Sequence, residues 1–125
     1  MTSTRRVLDI GQCNPDHYAI SRLVEETTGA SVDRAHGLTD ALELLERQSY
    51  ALVLVNRVLD RDGASGMAVI SALKSQDRTS KVPVMLVSNY DSAQEEAVAM
   101  GAVRGFGKNE LDLEQTATRL RAALG

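Results

Sequence analysis

The 125-residue sequence has little cysteine, few aromatic residues and no long apolar run. Cys13 is the single cysteine, which excludes an internal disulfide and a metal site made only of cysteines. No apolar run approaches the roughly 20 residues of a membrane span, and the patch after "MTSTRR" is too short for a signal peptide. We therefore expect one domain over residues 1–125, located in the cytoplasm and without a membrane partner.

Positive charge is also too sparse and too scattered to hold a nucleic acid. The sequence contains 14 Lys and Arg against 17 Asp and Glu, which gives a net charge of −3 at pH 7. A polyanion held by charge needs a clustered basic surface. We expect no nucleic-acid partner, and 43% hydrophobic with 25% charged residues indicates an ordinary globular domain.

Five short apolar runs alternate along the chain with five segments of helical periodicity. The predicted strands are Val7–Ile10, Ala30–Arg34, Ala51–Val55, Val82–Val87 and Ala102–Phe106. The predicted helices are Asp16–Thr28, Thr39–Gln48, Gly66–Ser75, Ser92–Met100 and Leu113–Leu124, with Thr39 as the N-cap of the second.

The third and fourth strands are apolar at consecutive positions, as parallel strands covered on both faces by helices require. Right-handed crossovers then predict a flavodoxin-like (βα)5 fold: a doubly wound, five-stranded parallel sheet inside a three-layer α/β/α sandwich. In such sheets the functional crevice lies at the carboxyl ends of the strands. It is expected just after Ile10, Val55, Val87 and Phe106.

Three segments resemble one known family. The stretch "ASVDRAHGLTDALELLERQSYALVLVNR" is similar to its second strand, second helix and third strand, and "KVPVMLVSNYD" to its fourth strand. The stretch "AVAMGAVRGFGKNEL" is similar to the end of its fourth helix, its fifth strand and the following loop. The family is the receiver domain of two-component response regulators, and the resemblance covers essentially the whole chain.

The resemblance implies that the phosphorylation chemistry of the family is missing. Receivers take a phosphoryl group on an aspartate that ends the third strand, and Asn56 occupies that position. A neutral amide cannot form an acyl phosphate. The acidic pair that would hold Mg²⁺ after the first strand falls on Gly11 and Gln12, or on Gln12 and Cys13, so no carboxylate is present in either alignment. We expect no Mg²⁺, no other cofactor and no enzymatic activity.

Two positions of the family pattern are retained, and one is displaced. Ser88 matches the hydroxyl residue, and Lys108 matches the lysine that pairs with phosphate. We interpret Lys108 as a structural tie to Asn56 Oδ1, to backbone carbonyls or to loop acids. The aromatic switch position falls on Gly105, with Phe106 one residue later, so the usual report from site to output face is expected to be lost.

Two other acidic features have less specific meanings. Asp9 interrupts the first strand, where it either turns toward the pocket or, as we favour, lies at a solvent-exposed edge. The loop "DRDGASG" places Asp60, Asp62 and Ser65 around Gly63 like the start of a calcium loop. The distant bidentate glutamate is missing, so the pattern favours a solvated turn over Ca²⁺ binding.

The sequence therefore predicts a pseudo-receiver that acts by protein–protein contact without phosphorylation. The surface implied by the resemblance is helix 4, strand 5 and helix 5, spanning Ser92–Phe106 and Asp112–Leu124, and the partner is a signalling protein or a second copy. An alternative from another class is an anion or small-metabolite sensor that uses the former phosphorylation pocket. Lys108, without acidic neighbours in the family pattern, is the feature that favours it.

Overall fold

The computed structural model describes residues 5–124, and the sheet it contains is parallel throughout. The first four residues and Gly125, which belong to the predicted domain 1–125, lie outside the described residues. The strand order is β2-β1-β3-β4-β5. The strands are β1 Arg6–Ile10, β2 Ser31–Ala35, β3 Leu52–Asn56, β4 Val84–Val87 and β5 Val103–Phe106.

Helices cover both faces of the sheet. They are α1 Asn14–Thr28, α2 Leu38–Arg47, α3 Gly66–Ser75, α4 Asp91–Ala99 and α5 Glu114–Leu124, with a short 3₁₀ turn at Lys108–Glu110 before α5. One core layer joins alternate strand residues such as Leu8 and Val53 to α2, α3 and α4. The other joins Val7 and Leu54 to α1 and α5. The predicted flavodoxin-like (βα)5 sandwich is confirmed.

The start of α2 differs from the prediction. The helix begins at Leu38 with Gly37 as its N-cap, so Thr39 lies inside the first turn and the predicted N-cap was wrong. The carboxylate of Asp40 accepts hydrogen bonds from the backbone N–H of His36 at 2.7 Å and of Gly37 at 2.8 Å. Asp40 at N3 thus bonds back to the two residues that precede the helix, as the acidic residue of a capping box does, which fixes the start of α2 at Leu38.

The strand β3 brings the site residues to the edge of the sheet. All five of its residues are buried, because it lies between β1 and β4 and is covered on both faces. Its last residue is Asn56, so the polar side chain emerges where the carboxyl ends of β1, β3 and β4 meet. Of the helices within residues 5–124, none is both long enough and apolar enough to cross a membrane.

Candidate functional site

An open cleft of about 470 Å³ lies at the carboxyl ends of β1, β3 and β4. Four of the predicted site residues line it: Cys13, Asn56, Ser88 and Lys108. The crevice rule for open parallel sheets thus located the cleft correctly.

Asn56 acts in this cleft as a hydrogen-bond donor. Its Nδ2 donates to the carbonyl oxygen of Gly11 at 2.9 Å, and the side chain is largely buried. The same carbonyl accepts the backbone N–H of Asp60 at 2.9 Å. The amide therefore ties the end of β3 to the end of β1, a bond that an ionised aspartate could not make because it has no hydrogen to donate.

Gly11 is required at this position by its backbone geometry. Its φ of 81° lies in the left-handed region that favours glycine. A Cβ at this position would also collide with the side chain of Leu59. The loop after β1 is therefore held close to the loop after β3, which shapes one wall of the cleft.

The residues predicted to stand in place of the family's acidic pair do not fit Mg²⁺. Gln12 is buried, and neither its Nε2 nor its Oε1 has a hydrogen-bond partner. Cys13 is half-buried at the N-cap of α1 and makes no capping bond with its side chain. Among residues 5–124, no three His, Cys, Asp or Glu side chains converge so as to hold a metal ion. An amide and a thiol are poor ligands for a hard cation that prefers carboxylates.

Lys108 pairs with a carboxylate at the edge of the cleft. Its Nζ lies 2.7 Å from Oδ2 of Asp16 in the first turn of α1, and each side chain is about one-third exposed, at 31% and 34%. The hydrogen bond from Lys108 lowers the pKa of Asp16 below its usual value. The acceptor is thus an acid of α1, and Asn56, the acceptor named first in the prediction, donates to Gly11 instead.

Asp9 forms a buried pair beneath the cleft, which corrects the expectation of a solvent-exposed edge. β1 lies between β2 and β3, and Asp9 has no exposed surface. Its Oδ2 lies 2.7 Å from Nδ1 of His17, while its Oδ1 has no partner. Burial raises the pKa of Asp9, and the hydrogen bond to His17 opposes that rise. Arg34, its register partner on β2, adds a positive charge.

At the predicted switch position, Gly105, the neighbouring backbone leaves no space for a side chain. A Cβ on Gly105 would collide with the carbonyl oxygen of Leu86, so no aromatic ring fits there. Phe106 is fully buried in the core layer next to α1 and α5. The hydroxyl of Ser88 makes a local hydrogen bond, because its Oγ accepts the backbone N–H of Tyr90 at 3.1 Å.

The acidic loop after β3 uses its polar side chains within the loop. Oδ1 of Asp62 accepts the N–H of Ala64 at 3.0 Å, and Oγ of Ser65 caps α3 by accepting the N–H of Ala68 at 3.4 Å. Gly63 has a φ of 73°. These are the bonds of a turn and a helix cap, which agrees with the favoured interpretation of the loop as a solvated turn.

Solved structures of signalling proteins share this architecture. A sensor protein from Polaromonas sp. JS666 matches with a TM-score of 0.83 and 22% identity, over 98% of this chain and 97% of that one. A putative response regulator from Chloroflexus aurantiacus matches at 0.79 and 17%, over 98% of both chains. The receiver domain of a DNA-binding response regulator from Colwellia psychrerythraea matches at 0.78 and 21%, over 94% and 96%. The chain has the receiver-domain fold.

The likeness is one of structure rather than of sequence. No protein-family model matches the sequence, and no curated protein matches it. At 17–22% identity the neighbours establish the receiver fold alone.

The outer face of α4, β5 and α5 combines exposed apolar and charged residues. Val98 and Val103 are about half-exposed, at 45% and 46%. Arg104 pairs with Asp91 at 2.8 Å across the start of α4. In the receiver fold β5 is the edge strand, so this face carries apolar side chains beside an open strand edge.

Sequence reasoning missed three members of the site region. Asp16 and His17 were not predicted as site residues, although both bind groups on other elements. Arg57 was not singled out, yet its guanidinium lies 5.0 Å from the ring centre of Tyr90 across the cleft. The charged Asp9 inside an apolar strand was the one available signal, because a buried carboxylate requires a partner.

Proposed function

We propose that this receiver-like chain is a signalling module that acts by protein–protein contact and is not regulated by phosphorylation. The observation that supports this proposal most directly is the hydrogen bond from Asn56 Nδ2 to Gly11 O at 2.9 Å. It occupies, with a neutral donor, the place where the family carries its phosphoryl acceptor. The module has no catalytic step of its own, and we place it in the cytoplasm with the signalling proteins it would contact.

Several further features support this proposal. The residues at the acidic-pair positions are poor Mg²⁺ ligands, and Lys108 is neutralised by Asp16 at 2.7 Å. The neighbouring solved structures include a sensor protein and response regulators, one of them described as an orphan response regulator of H. pylori. The pairing of Lys108 with Asp16 is consistent with a cleft that receives no phosphoryl group.

The contact surface we propose is the face of α4, β5 and α5. Its exposed valines, Val98 and Val103, provide apolar area, and the pair Arg104–Asp91 provides a polar rim. Interfaces commonly combine an apolar centre with such a rim. The partner is a signalling protein or a second copy of this chain.

The alternative of an anion or metabolite sensor has less support. Its motivating feature was a lysine without acidic neighbours, and Asp16 supplies such a neighbour to Lys108. The remaining cation at the cleft, Arg57, stacks on Tyr90. An anion would have to displace Asp16 from Lys108 before it could bind there, which lowers its affinity.

The interface proposal is tested with matched charge insertions. Tagged protein should recover its co-purifying partner, or an untagged second copy. Val103→Asp should abolish that recovery, because it places a charge among the apolar residues of the face. Tyr18→Asp is the control, since Tyr18 is 66% exposed on α1, outside that face. Recovery that survives Val103→Asp and is lost with Tyr18→Asp would place the contact on α1 instead.

A further inference from the structure

Gln94 is a buried amide on the inner side of α4, outside the cleft. Its side chain is only 3% exposed and lies beside the small buried residues Ala93 and Ala97. Its Nε2 donates to the carbonyl oxygens of Leu86 at 2.9 Å and Ser88 at 3.1 Å. A buried amide gives up its hydrogen bonds to water, so the burial of Gln94 requires these bonds within the protein.

The other end of the amide reaches β5. Its Oε1 accepts the backbone N–H of Gly105 at 2.9 Å. We refer to Gln94 with its partners Leu86, Ser88 and Gly105 as the Gln94 bridge. Both Nε2 hydrogens and one Oε1 lone pair are used, so one side chain joins α4 to the backbones of β4 and β5.

The irregular pairing of β4 with β5 explains why a side chain is needed here. Met85 pairs with Val103, but Val87 pairs with Phe106, so β5 carries one residue more than β4 over the same span. An extra residue of this kind is a β-bulge, which interrupts the ladder of backbone bonds. Gly105 lies in that bulge and is buried, and the amide of Gln94 satisfies its N–H.

Gly105 is held from the opposite side as well. Its carbonyl oxygen accepts a hydrogen bond from Nη1 of Arg119 on α5 at 3.1 Å. The collision of any Cβ at this position with the carbonyl of Leu86 leaves no room for a side chain. The position at which receivers carry a rotating aromatic residue is thus bonded to α4 on one side and to α5 on the other.

We propose that the Gln94 bridge is a conformational device that holds α4, β4 and β5 in one arrangement. The α4–β5–α5 face is then presented in a single form, and Gly105 has no side chain whose rotation could change it. This inference deepens the proposed function and depends on it for its meaning, because a module without a phosphoryl input needs a constantly competent face.

The test is amide hydrogen exchange, resolved by residue with NMR, in wild type, Gln94→Met and a control. Gln94→Met keeps the length of the side chain and removes all three bonds. The control is Val24→Ala, which opens a cavity in the other core layer, between α1 and the sheet. In wild type the Gly105 amide should exchange as slowly as the amides of β1 and β3, by global unfolding.

Gln94→Met should accelerate exchange at Gly105 and along α4 by at least about tenfold more than at β1, because local opening no longer breaks buried bonds. Val24→Ala should accelerate all of these amides alike. Fast exchange at Gly105 in wild type, or uniform acceleration in Gln94→Met, would overturn the proposal. If Gln94→Met does not fold, wild type alone decides: slow exchange at Gly105 supports the bridge and rapid exchange overturns it.

The proposed function and the Gln94 bridge would be contradicted by different results. Rapid exchange at Gly105 would remove the bridge and leave the lack of phosphorylation intact. A covalent phosphoryl adduct would defeat the proposed function while leaving the protection of Gly105 unchanged.

Discussion

The side chain of Asn56 is a donor where an aspartate would be an acceptor, and this difference has energetic consequences. Nδ2 donates to the carbonyl oxygen of Gly11, so an ionised carboxylate at the same place would face another oxygen. Gly11 O would keep its bond from Asp60 N, and the penalty would fall on the new charge. A pocket of this kind is built around a neutral amide.

We expect Asn56→Asp to destabilise the protein by about 1–3 kcal/mol at neutral pH, because it replaces a buried bond with a poorly solvated charge. The repulsion raises the pKa of the new carboxyl in the folded state, so stability is retained in acid and is lost as the pH rises through that pKa. Urea unfolding at several pH values measures this.

Asn89→Asp is the matched control for that substitution. Asn89 lines the same cleft but is exposed, and it uses Oδ1 to accept the N–H of Asn109 at 3.0 Å. A carboxylate keeps that acceptor, so the change should be nearly neutral. Equal effects of the two substitutions, or a gain in stability from Asn56→Asp at neutral pH, would show that the amide of Asn56 is not a required donor.

At the scale of elements, two adjacent residues fasten the first turn of α1. Asp16 pairs with Lys108 before α5, and His17 pairs with Asp9 on β1. The first pair is one-third exposed, so its contribution is about 0.2–1 kcal/mol and is weakened by salt. The second pair is buried, with Asp9 fully so, and removal of one member would leave the other without its partner in the interior.

His17→Leu should therefore cost on the order of 3–5 kcal/mol at neutral pH, since it leaves the Asp9 carboxylate buried without its partner. Burial already raises the pKa of Asp9, and without His17 the pKa rises further. A raised pKa in the folded state means that the carboxyl is tolerated in acid and destabilises as the pH rises through that pKa. Urea unfolding of the variant should accordingly show a smaller deficit in acid.

The double variant Asp9→Val with His17→Leu controls for lost packing. It removes the charge with its partner and should recover much of the stability, because a buried pair replaced by apolar groups is often neutral or stabilising. A double variant as unstable as His17→Leu would assign the loss to packing rather than to the unpaired carboxylate.

Sequence patterns were sufficient for the order and type of the elements, and local backbone chemistry explains the errors at their ends. β4 was predicted from Val82 but begins at Val84, because Pro83 has no N–H to donate to a ladder. β5 was predicted from Ala102, whose N–H is instead used by the carbonyl of Ala97 at the end of α4. Consecutive apolar residues still identified both strands.

Some members of the site could be predicted from the sequence, but their bonds could not. Asn56 was found at the end of an apolar strand, Ser88 and Lys108 were found through the family resemblance, and the parallel sheet brings all three to one cleft. The partner of Lys108 is Asp16, far away in sequence, and no local pattern indicates that pairing. Gln94 was equally hidden, because a single glutamine in a helix is ordinarily exposed.

In the molecule as a whole, the polar groups of the cleft and those behind the outer face are bonded within the chain. The charges of Lys108 and Asp16 neutralise each other, Asn56 is satisfied by Gly11, and the Gln94 bridge holds the strands behind the face. The receiver fold is thus kept, while the polar groups at the cleft and behind the outer face bond to other groups of the same chain. The molecule is expected to present one surface whatever the phosphoryl donors around it.

Intact-mass spectrometry after incubation with acetyl phosphate and Mg²⁺ shows whether this chain accepts a phosphoryl group, with an aspartate-containing receiver in the same mixture as a positive control. We expect an unchanged mass for this chain, because Asn56 cannot form an acyl phosphate and the first loop provides no carboxylate for the metal. An acid-stable, base-labile adduct of about 80 Da, the mass of one phosphoryl group, would contradict it.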